Sequence, residues 1–273
     1  MRVKSWHGLL GFVVTILLIV SARLTTTALQ PQQIAVQSPA PTSTILVAAA
    51  ASLQNALQEV TPIYTKANPS QKVNYNFAAS GVLAQQIEQG APVDVFISAA
   101  DKQMNTLQSR GLLVSGTVKN LLTNQLVLIA LNQSQVALNS FKQLTDPAIK
   151  RISIGEPRIV PAGQYATEVF KNLGILEQIK SKFVLGNNVK SVLTTVETGD
   201  VDAGIVYITD AKSSNKIIII ATASDKLHSP IRYPIAVVKS SKSIAGARQF
   251  AEFLSSKAAH AIFQKYGFGV AKS

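Results

Sequence analysis

Four junctions in this chain place small residues, a hydroxyl or bare backbone where a strand would hand over to a helix. They read Val47-Ala48-Ala49-Ala50-Ala51-Ser52-Leu53, Phe77-Ala78-Ala79-Ser80-Gly81-Val82, Val160-Pro161-Ala162-Gly163-Gln164-Tyr165 and Gly186-Asn187-Asn188-Val189. Small side chains let a ligand approach the backbone. The unpaired N–H groups of a helix's first turn, reinforced by the macrodipole, attract negative charge. Serine hydroxyls add further donors. Serine is also a favoured helix cap, so capping is the competing role at any single junction. Recurrence, with two junctions in each half of the chain, is what points to an anion or small polar ligand.

Covalent and metal chemistry has little to work with. The absence of cysteine excludes disulfides, thiolate metal sites, a cysteine nucleophile and a lipid-modified N-terminal cysteine. His7, His228 and His260 form no pair with metal-ligand spacing, and neither a Gly-x-Ser-x-Gly elbow nor a Gly-Lys-Ser/Thr phosphate loop occurs. Asp200 and Asp202, in Gly199-Asp200-Val201-Asp202-Ala203, mimic a carboxylate pair but read better as the turn before a buried strand.

The 273 residues carry 26 Lys+Arg against 14 Asp+Glu, a net charge of +12. Hydrophobic residues at 47% against 15% charged argue for an ordered globular protein. Part of the positive bias belongs to the N-terminus. Arg2 and Lys4 precede an uncharged, mostly apolar stretch at 9–22, the layout of a secretory signal and short for a membrane span. Cleavage after Ala28 would remove Arg2, Lys4 and Arg23, taking +12 to +9, and with them Trp6, the only tryptophan. The remaining cations, such as Lys171, Lys180, Lys182, Lys190, Lys212 and Lys216, are dispersed and read as a solvated surface that mildly steers anions. Aromatics at 6% give no basic-aromatic stripe for nucleic acid.

Residues 29–43, rich in Pro, Gln, Ser and Thr, read as an extended tether. From Thr44 onward short apolar runs alternate with helical patterns. Strands are expected at 45–49, 73–77 and 93–98, and helices at 82–89 and 102–110. The first helix carries the stripe Leu53, Ala56, Leu57, Val60, Ile63 and Tyr64, and Pro62 is expected to kink or end it. A second series has strands at 126–131, 152–154, 183–185, 203–207 and 217–220, with helices at 163–173 and 189–197. A strand at 233–238 and helices at 245–255 and 257–266 close the chain. Alternation on this scale predicts an α/β architecture of two lobes, each a mostly parallel sheet flanked by helices. The expected division is lobe one from 44–123 plus 230–273 and lobe two from 124–229. The two crossings, near 124–126 and 229–234, would form the hinge. In such sheets ligands sit beyond the carboxyl ends of strands, where the four junctions fall.

The segments Ala48-Ala49-Ala50-Ala51-Ser52-Leu53, Phe77-Ala78-Ala79-Ser80, residues 86–99 (QIEQGAPVDVFISA), Val160-Pro161-Ala162-Gly163, Gly204-Ile205-Val206-Tyr207 and Lys265-Tyr266-Gly267-Phe268 together resemble the periplasmic molybdate-binding proteins of ABC transporters, in order from about residue 45 to 269. The resemblance implies a two-lobed type II periplasmic-binding fold that closes on molybdate or tungstate, without a cofactor, and delivers it as a monomer to a membrane permease. It implies oxyanion contacts from Ser52, Ser80, the backbone N–H groups of Ala162 and Val189, and the Tyr207 hydroxyl. Gly81 follows Ser80 where the family usually has small and hydroxyl residues, so one secondary hydroxyl is absent. A fully ionised oxyanion only accepts hydrogen bonds, and every member of this set is a donor.

Alternatives stay open at this level. A receptor for sulfate or another tetrahedral oxyanion fits the same donors. An enzyme on the same scaffold would turn to Asp202 or His228, and an uncut N-terminal anchor would make a surface interaction protein. Tyr207 has an ordinary role as a core residue with a wet hydroxyl. Arg158 reads as an exposed loop cation, with the cleft mouth as its alternative.

Overall fold

The computed structural model describes residues 43–134 and 137–271. The expected signal at 1–28, and the expected tether at 29–43 but for its last residue, lie outside the described residues. The chain opens with β1 (Ser43–Ala50), a 3-10 turn at Ala51–Leu53 and α1 (Gln54–Ala67). Next come β2 (Gln71–Ala78), α2 (Ser80–Glu88), β3 (Val95–Ile97), α3 (Asp101–Ser109) and β4 (Lys119–Thr123). A second run holds β5 (Leu126–Leu131), β6 (Ile152–Gly155), α4 (Pro161–Asn172), α5 (Leu176–Ile179), β7 (Phe183–Gly186), α6 (Val189–Glu197), β8 (Ala203–Tyr207), α7 (Ile208–Ala211) and β9 (Ile217–Thr222). The chain finishes with β10 (Arg232–Val237), α8 (Ile244–Phe253), α9 (Lys257–Lys265) and β11 (Gly269–Val270).

These strands form two sheets, ordered β11-β4-β10-β3-β1-β2 and β7-β6-β8-β5-β9. The chain leaves the first sheet between Thr123 and Leu126 and returns between Thr222 and Arg232. Both sheets are mixed, with most strands running one way, as expected, and a minority reversed. β5 runs antiparallel to β8 and β9, and β10 antiparallel to β3 and β4. The reason is geometric. A strand entered directly from a crossing starts at the boundary between the sheets and must run away from it, whereas β1, β2 and β3, like β6, β7 and β8, run toward it in parallel. The carboxyl ends of both parallel sets therefore face each other.

Burial follows the patterns that build each element. In α1, Ala56, Leu57, Val60 and Tyr64 are buried, while Ile63, expected on the same stripe, is 42% exposed. The helix runs on through Pro62 to Ala67, because Pro62 lies on the solvent face, where a helix can curve convex toward solvent without disturbing the core. Fully buried side chains such as Ile45, Leu57, Leu128 and Ile205 each contribute about 1.5–3 kcal/mol of transfer free energy. β9 is the edge strand of its sheet: Ile217 is buried, whereas Ile218 and Ile219 are exposed. Asp202 accepts the backbone N–H groups of Lys150 and Arg151 at 2.6 and 2.8 Å, and Asp200 accepts the Thr198 hydroxyl, so both acids hold turns.

Candidate functional site

Where the two sets of strand ends meet, a cavity is lined by Ala50, Ala51 and Ser52, by Ala78, Ala79, Ser80 and Ala99, by Val160, Pro161 and Ala162, and by Asn188, Val189 and Tyr207. All five residues expected to contact an oxyanion line this one cavity. The cavity is small, about 10 Å³. That is far below the ~300 Å³ at which drug-sized sites begin. No side chain of the lining is charged.

Neither serine caps its helix. Ser52 sits inside the 3-10 turn before α1, Ser80 is the first residue of α2, and both helices start without a side-chain cap. Their hydroxyls are committed elsewhere. The Ala99 N–H donates to Ser80 Oγ at 2.9 Å, occupying an acceptor position and leaving the hydroxyl proton to donate. Ser52 Oγ lies 2.9 Å from the Tyr233 hydroxyl, which also receives the Asn124 Nδ2 amine at 3.1 Å. Asn124 Oδ1 accepts the Gln125 N–H, so the end facing Tyr233 is the donor. Either hydroxyl can donate in the Ser52–Tyr233 contact; donation by Tyr233 leaves the Ser52 proton for the cavity.

The facing wall is built from backbone. Ala162 is the second residue of α4 and Val189 the first of α6, positions whose N–H groups have no intrahelical acceptor. No side chain caps α4. At α6 the Asn188 side chain accepts the Ser191 N–H at 3.0 Å, so the cap satisfies Ser191 and leaves Val189. Gly163 lets α4 begin this close to its sheet, since a Cβ there would lie 1.9 Å from the Gly155 carbonyl oxygen. Tyr207 ends β8 fully buried, and its hydroxyl has no hydrogen-bond partner of acceptable geometry, although the Tyr233 ring stands edge-on at 5.8 Å. An unpaired buried hydroxyl costs about 1–3 kcal/mol. Burial raises the Tyr207 pKa well above the ordinary phenol range, so the group stays a proton donor at physiological pH.

The nearest charges stand behind this wall. Asp210, fully buried on α7, pairs with Lys190 of α6 at 3.3 Å. Burial raises the Asp210 carboxyl above its ordinary range, with Lys190 opposing. Lys190 thus braces two elements of the wall and is only 24% exposed, where the sequence reads as a solvated cation. Lys182 likewise donates to the carbonyls of Leu144 and Asp146. Arg158 is 85% exposed and bonded to Glu156 of its own loop. His228 is buried beside the Tyr165 ring, Nδ1 at 2.8 Å from the Ser229 carbonyl. Among the described residues no group of three His, Asp or Glu side chains could hold a metal ion, and no helix is long and apolar enough to cross a membrane. Sequence reasoning missed Asn124, Tyr233 and Asp210 as parts of this site. Only the placing of Asn124 and Tyr233 at the two crossings hinted at a shared role.

The sequence and the fold have counterparts among known proteins. The molybdate-binding protein ModA of Haemophilus influenzae is 40% identical over 227 residues, 82% of this chain and 89% of that protein. ModA of Escherichia coli is 35% identical over 230 residues, covering 83% and 89%. The solved structure of the Azotobacter vinelandii periplasmic molybdate-binding protein, 24% identical, aligns with a TM-score of 0.75 over 84% of this chain and 100% of that one, which shows a common two-lobed α/β fold. These relatives are solute-binding transport proteins rather than enzymes. The family model for the bacterial extracellular solute-binding protein matches residues 45–269. On that match and on these relatives, the chain belongs to the family of bacterial extracellular solute-binding proteins.

Proposed function

We propose that this protein binds molybdate, and tungstate with it, as a dianion in the cavity and presents it from the periplasm to an ABC-type permease. Ser52, Ser80, the amides of Ala162 and Val189, and Tyr207 supply the hydrogen bonds. The observation that carries this reading is the Tyr207 hydroxyl, a buried donor without an acceptor beside four further donors and no carboxylate. A tetrahedral dianion provides acceptors on every side. A protonated phosphate would favour a strong acceptor such as a carboxylate, and no carboxylate lines the cavity. The charge is shared among oriented amides and hydroxyls rather than met by a cation, and the neighbouring Asp210–Lys190 pair is neutral as a whole. The two sheets, with their helices, act as bodies that close on the anion about the crossings near 124–126 and 229–234, and the protein works as a monomer.

Calorimetric titration with molybdate, tungstate, sulfate and phosphate tests this. Molybdate and tungstate are expected to bind and phosphate to give no heat. At a hundredfold excess over Kd, binding should add about 2.7 kcal/mol to stability. Sulfate binding tighter than molybdate would replace the proposed cargo, and silence toward all four would end the receptor reading. Tyr207→Phe separates the site from the fold. It should weaken molybdate binding by roughly 1–3 kcal/mol while leaving the ligand-free protein as stable or more so, since an unpaired buried hydroxyl is removed. Unchanged affinity would remove Tyr207 from the site.

A further inference from the structure

Gly81 is the second residue of α2, next to Ser80. Its φ is not positive, so conformational freedom does not explain the glycine. Space does. A Cβ at this position would meet the backbone of Ile159, lying 2.6 Å from its carbonyl oxygen, 2.7 Å from its Cα and 3.0 Å from its carbonyl carbon. The Gly81 N–H donates to that same oxygen at 2.9 Å. Ile159 ends a turn held by the Glu156 carbonyl, which accepts the N–H groups of both Ile159 and Val160, and α4 begins two residues later. Among the described residues this is the one backbone hydrogen bond that joins the two sheets' halves away from the crossings. It links the serine wall directly to the amide wall.

We propose that Gly81 sets anion affinity without touching the anion. Its N–H and its missing side chain form a latch with Ile159 that holds the two walls at binding distance before a ligand arrives. The inference rests on the proposed oxyanion site. The latch needs no ligand atom, so it favours the closed form in the empty protein, and affinity rises with the fraction of molecules already competent to bind. To restore ordinary contact after Gly81→Ala, the Ile159 oxygen would have to retreat by about 0.8 Å, from 2.6 to roughly 3.4 Å. A backbone atom of a braced turn can do so only if the walls part.

Gly81→Ala tests this cleanly, because alanine is the better helix former and lacks any backbone strain here. Solution scattering of the ligand-free proteins should give the variant a larger radius of gyration than the wild type, and calorimetry should show molybdate affinity reduced tenfold or more. Gln85→Ala, on the exposed face of the same helix, should match the wild type in both. Equal ligand-free radii for Gly81→Ala and wild type would overturn the latch whatever happens to affinity, since a weaker site without opening would mean that Cβ disturbs Ser80 directly. A wild type that binds no oxyanion would defeat the proposed function, while the ligand-free scattering would still decide the latch.

Discussion

The two walls of the cavity present donors by different means. The wall carried by the first sheet uses side-chain hydroxyls, Ser52 and Ser80, each held by a hydrogen bond behind it. The wall carried by the second sheet uses the first-turn amides of α4 and α6, with Tyr207 alone contributing a side chain. A hydroxyl wall is specified by residue type and can be edited one group at a time. An amide wall is specified by where helices begin, so it changes only when the backbone moves.

That contrast is broken most forcefully at Gly163. Gly163→Ala would push a Cβ against the Gly155 carbonyl, 1.9 Å away, and displace the start of α4. Overpacking of this kind costs about 1–3 kcal/mol of stability. Losing the Ala162 contact to a charged ligand costs about 1.5–3 kcal/mol of binding in addition. Ser52→Ala should cost a comparable amount of binding and about 1 kcal/mol of stability, because the buried Tyr233 hydroxyl keeps its bond from Asn124 but loses its partner at Ser52. Thermal melts and titrations of the two variants side by side decide the matter. If Gly163→Ala bound molybdate as the wild type does, the second wall would not depend on the helix start.

A smaller effect sharpens how the hydroxyl wall is oriented. Tyr233→Phe keeps the ring and its edge-on contacts with Tyr207 and Phe268 but ends the relay from Asn124 to Ser52. Asn124 retains the Thr209 hydroxyl at 3.0 Å as an acceptor, so the fold loses little. Molybdate affinity should fall by roughly 0.5–1.5 kcal/mol, the net worth of one neutral hydrogen bond. A titration indistinguishable from wild type would mean that Ser52 needs no such orientation.

The same division explains what could be read in advance. Serines and a tyrosine announce themselves, and strong periodicity marked α6 at 189–197 and β8 at 203–207 to the residue. Backbone donors have no signature beyond a junction of small residues, so Ala162 and Val189 were reachable only through resemblance to a family. β4 went unread because Lys119-Asn120-Leu121-Leu122-Thr123 has no alternation to reveal it, and β11 is two residues long. Asn124 and Tyr233 meet across 109 positions, at the seam where the chain crosses twice between sheets. A contact made by topology leaves no local pattern. Gly81 was visible as an oddity beside Ser80, but its reason, the Ile159 carbonyl, lies 78 positions away and only the fold brings it near.

The least of the expected effects concerns the charges behind the amide wall. Burial raises the Asp210 pKa in the folded protein above its ordinary 3.8, against the pull of Lys190. A carboxyl with a raised folded pKa binds protons more tightly when folded, so its contribution to stability is complete below about 3.8 and is lost as pH rises through the folded value. Glu59 and Glu156, whose pKa values are lowered by Lys265 and Arg158, work in the opposite direction but are common to wild type and variant. The stability of wild type relative to Asp210→Asn should therefore fall as pH increases from 4 toward neutrality. A difference in melting temperature that stays flat from pH 4 to 8 would mean that Lys190 fully offsets burial, and that the amide wall rests on an ion pair with no net cost.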